Sequence, residues 1–78
     1  MASWKPDVVL DVKDATCPMP LLMAKKALKE MRPGQVLELL GTDPGTMNDL
    51  PAFVSRAGDQ FLGHEERPGC VAYFVRKG

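Results

Sequence analysis

The sequence predicts an α/β fold of the α+β type, a two-layer sandwich in which two helices cover one face of a four-stranded mixed sheet. Short apolar runs of strand length alternate with two segments of helical periodicity, which gives the order βαβαββ. A Pro-Gly pair separates the last two strand-like runs, as in a hairpin. With 78 residues, 45% hydrophobic and 26% charged, we expect residues 1–78 to form a single domain.

The first half of the chain has the pattern of a strand, a helix and a parallel strand. Residues 8–12 (VVLDV) and 36–40 (VLELL) are apolar runs of strand length. Between them, apolar residues recur at helical spacing, and we expect this helix to begin at Cys17 and to run to about Arg32. Because Pro33-Gly34 is a turn signal, the second strand should start directly after it.

The second helix can be placed in two ways. Either Thr46 caps a helix that is kinked at Pro51, or the helix begins near Asp49 with Pro51 in its first turn. We favour the second placement because proline is tolerated in the first turn of a helix. Residues 60–67 and 70–76 then flank Pro68-Gly69 and should form a terminal hairpin.

Composition and charge exclude several classes of function. Ten Lys and Arg balance ten Asp and Glu, so no overall field attracts the chain to nucleic acid or anionic lipid. No stretch approaches the roughly 18 apolar residues of a membrane span, and the opening MASWKPD lacks the apolar core of a signal peptide. We therefore expect a cytoplasmic protein that binds no membrane and is unlikely to bind nucleic acid directly.

The cysteine and histidine content argues against structural metal and disulfides. Two cysteines are too few for a disulfide framework, and one histidine rules out a Cys₂His₂ site built from a single copy. Neither a metal nor a cofactor is expected. Cys70 begins the last strand and is expected to be structural.

Cys17 is the candidate nucleophile. A thiol at a helix N-terminus lies near partial positive charge, which should lower its pKa below the usual value of about 8.5 and favour the thiolate. Pro18 and Pro20 would occupy positions N1 and N3 and restrict the direction of the sulfur, leaving the Met19 N–H as the natural donor to it. The competing interpretation is that Cys17 is a small buried apolar residue.

Two other groups of residues have an ordinary structural explanation beside a functional one. Asp43 and Asp49 form a possible carboxylate pair, but turn and cap chemistry explains them better. The first helix also carries a basic stripe, which is either a solvated face or a docking surface for a partner. The stripe consists of Lys25, Lys26, Lys29 and Arg32.

Three segments of the chain resemble a known family. The run LDVKDATCPMPLLMAKKAL is similar to the Cys-Pro-x-Pro region of the TusA family of sulfur-carrier proteins, also called SirA-like. The runs TDPGTMNDLPAFVSRAG and YFVRKG resemble later segments of the same family, in the same order. Many members have glycine just before the motif, where this chain has Asp14-Ala15-Thr16, so the geometry of that loop is open.

The resemblance implies a βαβαββ sandwich and a relay in which Cys17 carries sulfur as a persulfide, with Pro18, Met19 and Pro20 as motif residues. It implies a sulfurtransferase-type carrier rather than a self-sufficient enzyme, served by a donor such as a cysteine desulfurase or rhodanese and an acceptor such as a DsrE-like protein. The sulfur could be destined for tRNA thiolation, cofactor assembly or sulfur oxidation. The alternative is a small regulatory or nucleic-acid-binding module with an incidental cysteine.

Overall fold

The chain forms one mixed sheet with two helices packed on one of its faces. A computed structural model describes residues 4–78. Residues 1–3, the start of the MASWKPD segment in which no signal peptide was predicted, lie outside the described residues. The elements in chain order are β1 (Val8–Asp11), α1 (Met19–Glu30), β2 (Val36–Gly41), α2 (Pro44–Arg56), β3 (Gln60–Arg67) and β4 (Cys70–Arg76).

The sheet has the strand order β1-β2-β4-β3. Strands β1 and β2 are parallel, whereas β4 pairs antiparallel with both β2 and β3. The predicted fold class is therefore confirmed, and the terminal hairpin has its predicted bounds. Because β1 and β2 are parallel neighbours, the loops that follow them open at the same edge of the sheet.

The core lies between the sheet and the two helices. Alternate residues of the central strands face the helices, so that Leu37 and Leu39 of β2 lie beside Val75 and Tyr73 of β4. Both helices contribute stripes at helical spacing, and these residues are buried. The stripes consist of Leu21, Ala24 and Leu28 on α1 and Thr46, Leu50 and Val54 on α2.

The first helix begins later and ends earlier than predicted. Cys17 lies outside it, and Pro18 is the N-cap because its carbonyl accepts the first intrahelical bond, from the Leu22 N–H at 3.1 Å. Pro20 is therefore at position N2 rather than N3. At the other end Met31 is the C-cap and is already extended, and its N–H donates to the Leu28 carbonyl at 3.1 Å. Pro33 also prevents a longer helix, because it disfavours helical geometry in Arg32, the residue before it.

The second helix begins at Pro44, so the favoured start near Asp49 is wrong. Asp43 is the N-cap, and its Oδ1 accepts a hydrogen bond from the Gly45 N–H at 2.7 Å. Thr46, the cap of the other alternative, is buried inside the first turn, and Pro51 lies within the helix. Packing explains why the helix continues through this proline, since the buried stripe of α2 extends on both sides of it.

The opposite face of the sheet is partly covered by side chains. The Trp4 ring packs on Phe74 of β4, with 5.0 Å between ring centroids, and the Arg67 guanidinium lies 6.0 Å from the same ring. Arg67 also pairs with Glu38 at 3.0 Å and with Glu65 at 2.9 Å. Phe74 is consequently buried although it faces away from the helices.

Candidate functional site

Cys17 lies between the N-terminal ends of the two helices. It occupies the loop after β1, and Asp43 occupies the loop after the parallel strand β2, so both loops meet at one edge of the sheet. The Cys17 N–H donates to Asp43 Oδ2 at 3.0 Å, while Oδ1 of the same carboxylate caps α2. The Asp43 side chain thus links the backbone of Cys17 to the start of α2 through two hydrogen bonds.

Gly45, in the first turn of α2, lies close to the Cys17 thiol. A Cβ added to Gly45 would lie 3.5 Å from Cys17 Sγ and 3.1 Å from Asp43 Oδ1. The second distance is shorter than an ordinary van der Waals contact, so even alanine would press on the capping carboxylate. Glycine at this position therefore lets the start of α2 approach the cysteine closely.

The electrostatics of the sulfur differ from the prediction. Cys17 is half-buried, and the Asp49 Oδ2 lies 4.0 Å from Sγ, a long contact for a sulfur hydrogen bond. Burial, followed by the negative charges of Asp43 and Asp49, raises the pKa of the Cys17 thiol. The predicted lowering of this pKa is wrong, because it considered one helix terminus and neither the burial of the sulfur nor the carboxylates of Asp43 and Asp49.

The three motif residues after Cys17 have different surroundings. Pro18 and Met19 are exposed, whereas Pro20 is fully buried in the core. The Met19 N–H donates to the Thr16 carbonyl at 2.9 Å, so it is not the donor to the sulfur that the sequence suggested. The Cys17–Pro18 peptide bond is cis.

Exposed apolar side chains project from the first turns of both helices near Cys17. Met19 and Leu22 of α1 are each 49% exposed, and Met47 of α2 is 37% exposed. These three side chains lie on the two helix starts that flank the thiol, near the carboxylates of Asp43 and Asp49. Such exposed apolar residues are typical of surfaces that contact other proteins.

The basic residues of α1 do not form one continuous stripe. Lys25 and Lys29 line a cavity of about 180 Å³ between α1 and α2, next to Phe53. Lys26 lies on the opposite flank of the helix, at a groove of about 480 Å³ between α1 and β1. Arg32 is exposed beyond the end of the helix. The structure thus divides the predicted docking surface between two flanks.

The second cysteine has no assigned role in the site. Cys70 is half-buried like Cys17, and it lines a surface depression with Thr42 and Arg67.

Within residues 4–78, no group of three or more His, Cys, Asp or Glu side chains could hold a metal ion. No helix in the same range is long and apolar enough to span a membrane.

The sequence indicates both Cys17 and the pair Asp43 and Asp49, but not that these carboxylates lie beside the sulfur. The predicted cap chemistry is confirmed for Asp43, which caps α2. Its second oxygen, however, binds Cys17 across 26 positions of the chain. The only signal for this contact was the topology, since parallel neighbouring strands place their following loops together.

Comparisons with known proteins all indicate one family. The family model described as Sulfurtransferase TusA matches residues 8–77. The sulfur carrier protein TusA of Allochromatium vinosum is 38% identical over 71 residues, which are 91% of this chain and 93% of that protein. YrkF of Bacillus subtilis is 40% identical over 74 residues, but the chain spans only 40% of the length of YrkF.

A solved structure shares the fold as well. The SirA-like protein of Desulfitobacterium hafniense superposes with a TM-score of 0.73 at 26% identity, covering 91% of this chain and 97% of that one. Of the two functions that the sequence left open, these comparisons support the sulfur carrier rather than the regulatory or nucleic-acid-binding module.

Proposed function

The chain belongs to the TusA family and is a sulfur carrier, and we propose that it carries the sulfur as a persulfide on Cys17. The observation that carries this proposal is the position of Cys17, which lies half-exposed between two helix starts with its backbone held by Asp43. A thiol held at the surface can meet the sulfur of another protein without a deep pocket. The match over residues 8–77 also supports a single domain.

The proposed reaction is an exchange between a thiol and a persulfide. Cys17 Sγ attacks the outer sulfur of a donor persulfide, and a bond forms between these two atoms while the S–S bond of the donor breaks. The electron pair of the broken bond leaves with the inner sulfur of the donor, which finally takes the proton released by Cys17. One S–S bond replaces another, so no oxidant or reductant is consumed.

The second half of the cycle repeats this chemistry with an acceptor. A thiolate on the acceptor protein attacks the outer sulfur of the Cys17 persulfide, and Cys17 returns to the thiol. We propose a cysteine desulfurase or a rhodanese as donor, a DsrE-like protein or another thiol protein as acceptor, and the cytoplasm as the location. Met19, Leu22 and Met47 would contact these partners, with the lysines of α1 at the edge of the contact.

The experiment that tests the proposal is intact mass spectrometry after incubation with a sulfur-donating enzyme and its substrate. We expect the mass to increase by one sulfur atom and to return to the original value after treatment with a reductant. Cys17→Ser should abolish the increase, and Cys70→Ser is the matched control that should retain it. Loading of the Cys17→Ser variant and not of the Cys70→Ser variant would overturn the assignment.

A further inference from the structure

Asp49 lies beside the Cys17 sulfur, and the exchange described above gives it no role. Its Oδ2 is 4.0 Å from Sγ, and the side chain is on the exposed side of α2.

In the described range of the chain, neither Asp43 nor Asp49 forms an ion pair with a lysine or arginine. Asp11 and Asp59, by contrast, pair with Lys13 and Lys77. Two carboxylate charges without a paired cation therefore act on the sulfur.

We propose that Asp49 restrains the nucleophile of the unengaged carrier, because its carboxylate accepts the thiol hydrogen bond of Cys17 and disfavours the thiolate. The inference rests on the proposed function, since it concerns the residue that would bear the sulfur. A negative charge near a group that becomes an anion favours the neutral form of that group. The free carrier would consequently hold a smaller fraction of thiolate than it would without this charge, and the thiol is the form that is less reactive toward oxidants and alkylating reagents.

Asp49 shares this role with Asp43, but its replacement breaks no backbone hydrogen bond of the loop. Asp43 also disfavours the thiolate, but it is held by two backbone hydrogen bonds and its removal would disturb the loop and the start of α2. On β4, burial and Asp43 raise the pKa of Tyr73, so this residue is uncharged at neutral pH. The first turn of α1 holds no acidic residue, and the nearest cation in sequence, Lys13, pairs with Asp11.

The restraint can be released when a partner docks. The attack of Cys17 on a persulfide breaks the S–H bond, forms the new S–S bond, and sends the proton finally to the departing thiolate of the donor. A cationic side chain of the partner that approached Asp49 would offset its charge and increase the fraction of thiolate at the moment of contact. Asp49 would then couple the reactivity of Cys17 to the presence of a partner.

The test measures the alkylation rate of Cys17 against pH in the Cys70→Ser background, where one cysteine remains. We expect Asp49→Asn to move the pH midpoint downward and to increase the rate at neutral pH by on the order of threefold. Asp49→Glu keeps the charge and should stay close to the parent protein. Asp14→Asn is the matched control, because it removes an exposed carboxylate near Cys17 in sequence that has no hydrogen bond to the sulfur.

An unchanged or slower alkylation rate in Asp49→Asn would overturn the proposal, and so would an equal acceleration in Asp14→Asn. Thermal unfolding followed by circular dichroism checks that each variant is folded before its rate is compared. The alkylation result does not require any sulfur transfer. If the parent protein acquires no sulfur by mass spectrometry, the proposed function fails, whereas the effect of Asp49 on the thiol is decided by alkylation alone.

Discussion

At Cys17, two influences on the sulfur act in opposite directions. The adjacent helix starts favour negative charge, while burial and the two carboxylates favour the neutral thiol. The outcome is a thiol whose pKa lies above its ordinary value. The resting reactivity of this residue is therefore set by burial and by two carboxylates that are distant in sequence and adjacent in space.

This balance predicts how the reactivity of Cys17 depends on pH. Because the pKa of the folded thiol is raised, the thiolate fraction at neutral pH is smaller than in an unfolded chain, and alkylation should accelerate only at higher pH. The measurement is the rate of reaction with iodoacetamide across a pH series for the Cys70→Ser variant, folded and in denaturant. A midpoint lower in the folded protein than in denaturant would contradict the prediction.

At the scale of the elements, the motif prolines belong to different environments. Pro20 is fully buried on the inner side of α1, although the sequence suggested only a role in aiming the sulfur. Its ring therefore contributes to the core as well as to the helix start. The directional role of Pro18 and Pro20 stays a prediction.

Burial of Pro20 predicts a cost in stability for its removal. Pro20→Ala should lower the free energy of unfolding by about 1–2 kcal/mol, because buried methylene groups are lost at about 0.8 kcal/mol each and the unfolded chain gains freedom. Pro44→Ala is the matched control, since Pro44 also lies in the first turn of a helix but is exposed. Urea unfolding measures both variants, and a larger cost at Pro44 would contradict the assignment.

The way α2 begins also shows where sequence patterns reach their limit. The Thr46 pattern and Pro51 suggested two helix starts, and the real start at Pro44 depends on Asp43, which caps α2 and binds Cys17. Asp43 followed by Pro44 is itself a local signal for an N-cap and the first helical position, but Thr46 and Asp49 offer competing starts. The hairpin, whose turn and strands are all local, was predicted with its bounds correct.

At the scale of the whole molecule, the two faces of the sheet are covered differently. The helices cover one face, and Trp4 covers part of the other by packing on Phe74 and Gly63. Gly63 has a φ of +150°, and a Cβ added there would lie 2.7 Å from the Trp4 ring. The packing of Trp4 against β3 therefore requires glycine at position 63.

This contact predicts that Gly63→Ala displaces the indole. We expect a loss of about 1–3 kcal/mol in the free energy of unfolding, together with a red shift of the fluorescence of Trp4, the single tryptophan of the chain. In a double-mutant cycle, Trp4→Ala should reduce the cost of Gly63→Ala, because the clash is removed. Additive effects would show that the strain arises from the backbone alone.

The surface of α1 predicts which charges affect partner docking. Reversing Lys25, Lys26 or Lys29 singly should leave the stability nearly unchanged, since all three side chains are exposed, but should slow sulfur exchange when the residue flanks the bound partner. Because Lys25 and Lys26 lie on opposite flanks, we expect one flank to respond more strongly. The test measures the rate of sulfur transfer for each variant and at several salt concentrations. A rate that changes with neither the charge reversals nor the salt concentration would exclude a docking role.

The order of the elements, the hairpin, the fold class and the candidate nucleophile can all be predicted from the sequence alone. Each of these depends on patterns within a few residues, such as apolar periodicity, Pro-Gly turns and the Cys-Pro-x-Pro run. The charge environment of Cys17, the second partner of Asp43 and the burial of Pro20 depend instead on tertiary packing. The physical reason is that parallel pairing of β1 and β2 brings residues 17 and 43 together, and no local pattern encodes a hydrogen bond that spans 26 positions.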